Sequence, residues 1–350
     1  MFELPSSRIV VVGAGAFGQN HLRVWRELQD TGARVQLIGI VEPDSSAASA
    51  FAEEYGIPVY SSVREFLSSQ PIPDAASVAV PTANHADIAS QLLKAGVDVL
   101  LEKPFTATLK EADLLIDLAE RHKRILQIGH LERFNPAVRA VLPLVHKPLF
   151  FEAHRLSIFT PRSLDIDVVL DLMIHDLDIV LSLVQSPIRE LHAVGLPVLS
   201  SKVDIANVRI EFDSGCVANF TASRVSTERV RKMRFFQPHQ YISLDYARQD
   251  VLCVDVADLQ TSKQAEASHR GTQEMRFHPA ELRHPTPELT LRKLSVPSGE
   301  PLRLELEAFL SAVRERTAPQ VPTQDSRAAL AVALDILAAI QSHQARIGLA

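Results

Sequence analysis

The chain has 350 residues, 46% of them hydrophobic and 22% charged, which suits two ordinary globular domains and excludes a disordered or fibrous chain. Its 42 acidic and 36 basic side chains leave a net charge of −6, so no global basic field is present to hold nucleic acid. Two cysteines, Cys216 and Cys253, lie in alternating apolar stretches. They are too few for a disulfide framework and are expected as buried small hydrophobes in a reducing cytoplasm.

No membrane span is expected, because the most apolar long stretch, 168–184, carries Asp171, His175, Asp176 and Asp178. The apolar run at 9–12 lacks the flanks of a signal peptide. That run predicts a strand buried on both faces, leading into Gly13-Ala14-Gly15-Ala16-Phe17-Gly18 and then a helix over 19–29. A strand over 35–41 ends at Glu42, and a helix over 46–55 is closed by Gly56. Strands over 77–80, 97–101 and 125–128 end at Pro81-Thr82, Glu102-Lys103-Pro104 and Gly129-His130, with helices over 86–95 and 109–122 between them. Such repeated strand–helix units predict an α/β domain over 1–130 built on a parallel, doubly wound sheet.

The remainder, 131–350, predicts an α+β domain with an open, mainly antiparallel sheet. A strand over 150–157 and a helix over 168–184 precede alternating runs at 190–196, 205–212, 216–223, 230–236, 241–244 and 251–256. Asp213-Ser214-Gly215 reads as a hairpin turn and 257–287 as a long polar loop. Amphipathic helices over 303–316 and 325–344 close the chain and are candidates to pack back on the first domain.

The glycine turn lies between a strand and a helix, the context that a dinucleotide site requires. Gly13 allows a tight turn, Gly15 lets backbone approach a pyrophosphate, and Gly18 lets helix and strand pack closely. Ala16 and Phe17 complete the loop. Glu42, 24 residues past Gly18, can accept hydrogen bonds from adenosine ribose hydroxyls and would repel a 2′-phosphate, so NAD is favoured over NADP. The strand ends at Pro81, Thr82, Asn84 and His85, at Glu102 and Lys103, and at Gly129 and His130 open onto one crevice. A lysine there can hydrogen-bond a reacting hydroxyl or carbonyl and stabilise developing charge, or be an ordinary solvated lysine at a strand end. His85 has an alternative role in a helix-capping segment.

Asp171 and His175 are four residues apart on a predicted helix with apolar neighbours. They can act as a proton-transferring pair or as an ordinary helix-surface pair. No third and fourth ligand at a telling spacing supports a metal site. His130, Arg133 and Asn135 stand where the first domain hands over to the second. Arg133 can hold a substrate phosphate, whereas Asn135-Pro136 also reads as an N-cap followed by proline at N1. Arg155, Thr160 and Arg162 are candidate sugar or phosphate contacts, with plain loop solvation as the alternative.

Taken in order, Gly13–Gly18, Pro81-Thr82-Ala83-Asn84-His85, Glu102-Lys103-Pro104 and Asp171-x-x-x-His175 resemble the Gfo/Idh/MocA family of NAD(P)-dependent oxidoreductases over nearly the whole chain. The resemblance implies a Rossmann domain followed by an α/β domain whose open sheet joins subunits into a homodimer or homotetramer. It implies Lys103 and His175 as the catalytic pair, with Asp171 beside them. Asp165-Ile166-Asp167 replaces glycines that family members often carry there. Within the family, the segments 129–136 and 170–178 resemble the branch that oxidises UDP-N-acetylglucosamine at C3 and feeds an aminotransferase in lipid A-type amino-sugar synthesis. Dehydrogenation of a free sugar or inositol, NAD-assisted glycoside hydrolysis and a non-catalytic NAD sensor are the alternatives.

Overall fold

The computed structural model describes residues 6–160, 166–256, 273–277 and 289–349. The chain divides into two compact units, Met1–Leu131 with Glu300–Ala331, and Glu132–Gly299 with Val332–Ala350. The first division thus falls at 131/132, and the closing segment is divided between the units at 331/332.

The first unit is a six-stranded, all-parallel sheet. Its strands are β1 (Ser7–Val12), β2 (Val35–Val41), β3 (Val59–Tyr60), β4 (Ala75–Val78), β5 (Asp98–Glu102) and β6 (Leu126–Gly129), in the order β3-β2-β1-β4-β5-β6. Helices α1 (Gly18–Asp30), α2 (Ser45–Tyr55), α3 (Val63–Ser69), α4 (His85–Lys94) and α5 (Leu109–His122) follow strands in turn. Val10, Val11, Val99 and Leu100 are fully buried, as two-sided cover of a parallel sheet demands. On one face, Leu22, Trp25 and Leu28 of α1 pack with Leu302, Leu306 and Phe309 of α8 (Pro301–Glu315). The strand order reverses direction between β1 and β4, so the loops after these two strands flank the crevice where such sheets bind ligands.

The second unit carries α6 (Pro136–Val141) and β7 (Phe150–Ile158), followed by a π-helical turn (Val169–Met173) that opens α7 (Ile174–Val184). Strands β8 (Ile188–Leu196), β9 (Ile205–Phe212), β10 (Val217–Ser226), β11 (Val230–Gln237), β12 (Gln240–Asp245), β13 (Asp250–Val256), β14 (Gln273–Phe277) and β15 (Leu289–Lys293) come next. With β7 they form a nine-stranded sheet ordered β14-β15-β13-β12-β11-β7-β10-β9-β8. Only β7 and β10 pair in parallel. The inward set, including Phe151, Ala153, Val208, Ile210, Phe220, Phe235 and Cys253, joins Val138, Leu177 and Ile336 in one core. The alternate set on β7, β11 and β12 faces away, where the Phe150, Phe236 and Tyr241 rings cluster with centroids 5.8 and 4.9 Å apart. Both cysteines are buried, as expected, and burial pushes each thiol up to about 11.

Several expectations are corrected. Strand β3 and helix α3 went unpredicted, although α3 announces itself by a Ser62-x-x-Glu65 pattern in which Ser62 Oγ accepts from the Glu65 backbone N–H at 3.2 Å. The stretch over 168–184 is not one regular helix. The expected loop over 257–287 contains β14, paired with β15, while 257–272 and 278–288 lie outside the described residues. Finally, α9 (Thr323–Arg346) is long and apolar enough by composition to cross a membrane, with a mean hydropathy of 1.3 over its most apolar window. Its Leu330, Ala333, Ile336 and Ile340 are nevertheless buried among protein side chains.

Candidate active site

The glycine turn is shaped by contact between the loops after β1 and β4. Gly13 has φ +87°, and a Cβ there would stand 2.5 Å from the Ala79 carbonyl oxygen. A Cβ on Gly18 would collide with the Gly13 carbonyl, so helix α1 approaches its own turn as closely as backbone allows. Gly15 is different: open space surrounds it, and Gly15, Ala16 and Phe17 are exposed. No side chain caps the start of α1, and its first turn holds no acidic residue. The uncapped N–H groups and the positive dipole end form a cradle that fits a pyrophosphate. Glu42 follows β2 directly, and its Oε2 accepts from the Ala14 backbone N–H at 2.8 Å while Oε1 accepts from Asp44 N–H at 3.0 Å. Its carboxylate thus stands against the same turn.

The strand ends after β4 and β5 divide into exposed and buried groups. Pro81 and Asn84 are exposed, Thr82 and Lys103 half-buried, and the Lys103–Pro104 peptide is cis. His85, expected as a cofactor contact, opens α4 with its ring buried among carbonyls. Its Nδ1 lies 2.9 Å from the Pro104 oxygen and 3.2 Å from the Phe105 oxygen, and its Nε2 lies 3.0 Å from the Val80 oxygen. Burial holds its pKa below the usual histidine value against the pull of those carbonyls. Both ring nitrogens are thereby committed to the fold. Glu102 also turns inward, under α1, where His21 Nε2 is 3.0 Å from its Oε1. His130 is buried at the carboxyl end of β6.

In the second unit, Asp171 and His175 are both half-buried, and the π-helical turn ends between them at Met173. Their spacing is therefore not that of a regular α-helix. Such turns interrupt helices frequently at functional positions. Just before this turn, Asp167 Oδ1 accepts from Val203 N–H at 2.8 Å.

Three expected substrate contacts are occupied by the protein itself. Arg155 is 3% exposed and its guanidinium is fully engaged: Nε and Nη2 donate to Asp176 at 2.8 and 3.0 Å, and Nη1 donates to Glu132 at 2.9 Å. The same group stands 4.8 Å from the centre of the Tyr246 ring. Burial would lower its pKa, but Asp176 and Glu132 prevail and hold it well above the ordinary arginine value. Arg133 donates bidentately to Asp178 at 2.6 and 2.9 Å. Asn135 is the N-cap of α6, its Oδ1 accepting from Ala137 N–H at 3.0 Å with Pro136 at N1, and its amide also donates to Glu132 and the Tyr246 carbonyl. Thr160 is exposed just past β7, and Arg162 lies outside the described residues. Among the described residues no three His, Cys, Asp or Glu side chains gather as metal ligands.

A parallel sheet with this strand order, a glycine cradle at its reversal and reactive side chains at its strand ends define a dinucleotide-dependent oxidoreductase. Family models agree: residues 7–130 match the oxidoreductase family with an NAD-binding Rossmann fold, and residues 149–237 match the GFO/IDH/MocA C-terminal domain. The chain is 38% identical over 240 residues to UDP-N-acetylglucosamine 3-dehydrogenase of Acidithiobacillus ferrooxidans, covering 68% of this chain and 74% of that protein. A solved structure of that species' UDP-N-acetylglucosamine 3-dehydrogenase GnnA superposes with a TM-score of 0.80 over 97% of this chain and 99% of the other, at 30% identity. Scyllo-inositol 2-dehydrogenase (NAD(+)) of Bacillus subtilis is 27% identical over 234 residues, or 63% of this chain and 68% of that protein. The protein belongs to the Gfo/Idh/MocA family.

Proposed function

We propose that this protein is an NAD-dependent dehydrogenase that oxidises C3 of UDP-N-acetylglucosamine to a 3-keto sugar nucleotide, the substrate for a later transamination in lipid A-type amino-sugar synthesis. The observation that carries the dinucleotide reading is the exposed, uncapped glycine cradle with the Glu42 carboxylate bonded to its Ala14 N–H. The sugar nucleotide is supported by the 38% identity to an enzyme of that name.

When bound, the dinucleotide supplies the hydride acceptor. Residues 13–18 hold its pyrophosphate, and Glu42 takes the adenosine ribose hydroxyls and disfavours NADP. Pro81, Thr82 and Asn84 line the nicotinamide end. Lys103 and His175 divide between them the removal of the hydroxyl proton and the stabilisation of charge on that oxygen, and Asp171 orients one of the two. Thr160 contacts the sugar. Glu102, His85, Arg133, Asn135 and Arg155 act on the protein's own framework. The enzyme works in the cytoplasm as a homodimer or homotetramer, an assembly supported by the outward aromatic cluster of Phe150, Phe236 and Tyr241 on the second unit's sheet.

The test incubates the protein with NAD and a panel of UDP-sugars and free inositols, with an aminotransferase and amino donor to draw the ketone forward. An amino-sugar nucleotide formed from UDP-N-acetylglucosamine, detected by mass, is the expected result. Oxidation of an inositol and of no UDP-sugar would overturn the substrate. The variant Lys103→Ala should lose roughly 100-fold in kcat, the scale of a missing acid–base group, and an unimpaired variant would remove Lys103 from the chemistry.

A further inference from the structure

Beneath α1 lies a chain of polar contacts that dinucleotide binding does not require. Trp25 Nε1 donates to Ser77 Oγ at 3.1 Å, Ser77 Oγ is 3.1 Å from His21 Nδ1, and His21 Nε2 is 3.0 Å from Glu102 Oε1. His21, Trp25 and Ser77 are fully buried and Glu102 is 7% exposed. Elsewhere this face is apolar, with Ile9, Val11, Leu100, Leu306 and Phe309 packed together. Four polar groups in such a place carry a desolvation cost that aliphatic residues would avoid, so a specific role is expected of them.

An indole N–H only donates, so Ser77 Oγ accepts from Trp25, and its other lone pair and its single proton are both within reach of His21 Nδ1. A carboxylate only accepts, so the contact between His21 Nε2 and Glu102 Oε1 is one in which the ring N–H donates. The neighbouring strand makes room for that carboxylate. A Cβ on Gly129 would stand 2.5 Å from Glu102 Oε1 and 2.9 Å from its Cδ. On the far side of Lys103, the His85 ring is bonded to the carbonyls of Pro104 and Phe105. The residues immediately before and after Lys103 are thus each fastened by a buried histidine.

We propose that His21 is a positioning residue for the hydride transfer: it locks the Glu102 side chain, and through Glu102 the backbone from which Lys103 is presented. The inference rests on the reading of Lys103 as the group that meets the reacting oxygen. Catalytic geometry is sensitive to this kind of support, since a displacement of about 1 Å can cost roughly 100-fold in rate.

The experiment uses the full chain as His21→Leu, His21→Gln, Lys103→Met and the double variant His21→Leu/Lys103→Met. Each is assayed with UDP-N-acetylglucosamine and NAD under transaminase coupling, and its NAD affinity is measured separately. His21→Leu should lower kcat roughly 10- to 100-fold while the Kd for NAD changes by less than about threefold. His21→Gln, whose amide can still donate to Glu102, should recover most of the loss. The double variant should be no slower than Lys103→Met alone, because His21 acts through Lys103. Should His21→Leu fail to fold, Ser77→Ala, which removes the hydroxyl bonded to Nδ1, is read by the same split and the same double variant. Unchanged kcat in His21→Leu beside an impaired Lys103→Met would overturn the positioning role alone. Equal losses in the Leu and Gln variants, or losses that multiply in the double variant, would do the same. Wild-type kcat in Lys103→Met would instead overturn the reading of Lys103 itself, and this inference with it.

Discussion

Replacing Arg155 with methionine separates a structural from a substrate-binding role for the buried cation of the second unit. The guanidinium makes three short charge-assisted hydrogen bonds, to Asp176 and Glu132, which are 2% and 6% exposed. Methionine fills much of the same volume but leaves two carboxylates buried without their cation. Removing one partner of a buried ion pair costs about 3–5 kcal/mol. For a unit of this size each kcal/mol moves the thermal midpoint by about 2–4 °C, so Tm should fall by roughly 10 °C. Scanning calorimetry gives the midpoint, and initial rates at low temperature give KM for UDP-N-acetylglucosamine in the folded fraction, where no change is expected. The variant Arg155→Met/Asp176→Leu/Glu132→Leu should regain much of the loss, because an apolar replacement of the whole cluster strands no charge. An unchanged midpoint with a raised KM would refute this account and return Arg155 to the substrate.

Two substitutions in the glycine turn should part stability from binding. Gly13→Ala, forced against the Ala79 carbonyl at positive φ, should lower Tm, whereas Gly15→Ala, with open space around it, should leave Tm unchanged and weaken NAD roughly tenfold or more in a direct titration. Normal NAD affinity in Gly15→Ala would show that the pyrophosphate lies elsewhere. Burial pushes the Asp204 carboxyl up, but the N–H groups of Leu199, Val198 and Ser200 and the Ser200 hydroxyl outweigh it and hold the pKa at about 2. A depressed carboxyl stabilises above its unfolded pKa near 4, and that contribution is lost as the pH falls toward 2. Asp204→Asn should therefore be less stable by roughly 2 kcal/mol at neutral pH, with the gap to wild type closing between about pH 4 and 2. A gap that ignores pH in urea titrations would refute the assignment. Both thiols, raised to about 11 by burial, should resist a thiol reagent at pH 8 until urea unfolds the chain. Rapid labelling of the folded protein would contradict their burial.

Periodicity in the sequence reports burial, and the elements it revealed are those whose burial is uniform along their length. Strands β1, β2 and β9 and helix α5 are buried as continuous runs, alternations or stripes, and each was located to within two residues. The two-residue β3 has no room for a period, and α3 is too short for one, so its signal lay in capping chemistry at Ser62 and Glu65. The turn over 169–173 was beyond reach for another reason. A π turn differs from an α turn by a hydrogen-bond step, not by side-chain pattern, and Val169, Leu170, Leu172 and Met173 suit either.

For the candidate site, residue type and position along the chain were legible, and the direction of each side chain was not. The segment His130-Leu131-Glu132-Arg133-Phe134-Asn135 and the segment His175-Asp176-Leu177-Asp178 each read as reactive from composition alone. In the fold, Glu132 and Asp176 close on Arg155, Arg133 closes on Asp178, and Asn135 caps α6. Much of what resembled a substrate site is thus the clamp that fastens α7, the helix of His175, to its own unit. Charged residues in a motif mark either chemistry or the buried pairs that hold chemistry in place, and both demand the same residue types. The difference is decided by partners distant in sequence: Arg155 lies 21 residues from Asp176, and His21 lies 81 residues from Glu102. His21 itself is silent in the sequence, since a lone histidine on the buried side of a helix has no local signature. Only the strand pairing that brings Ser77 beside Leu100, two residues before Glu102, shows what it reaches.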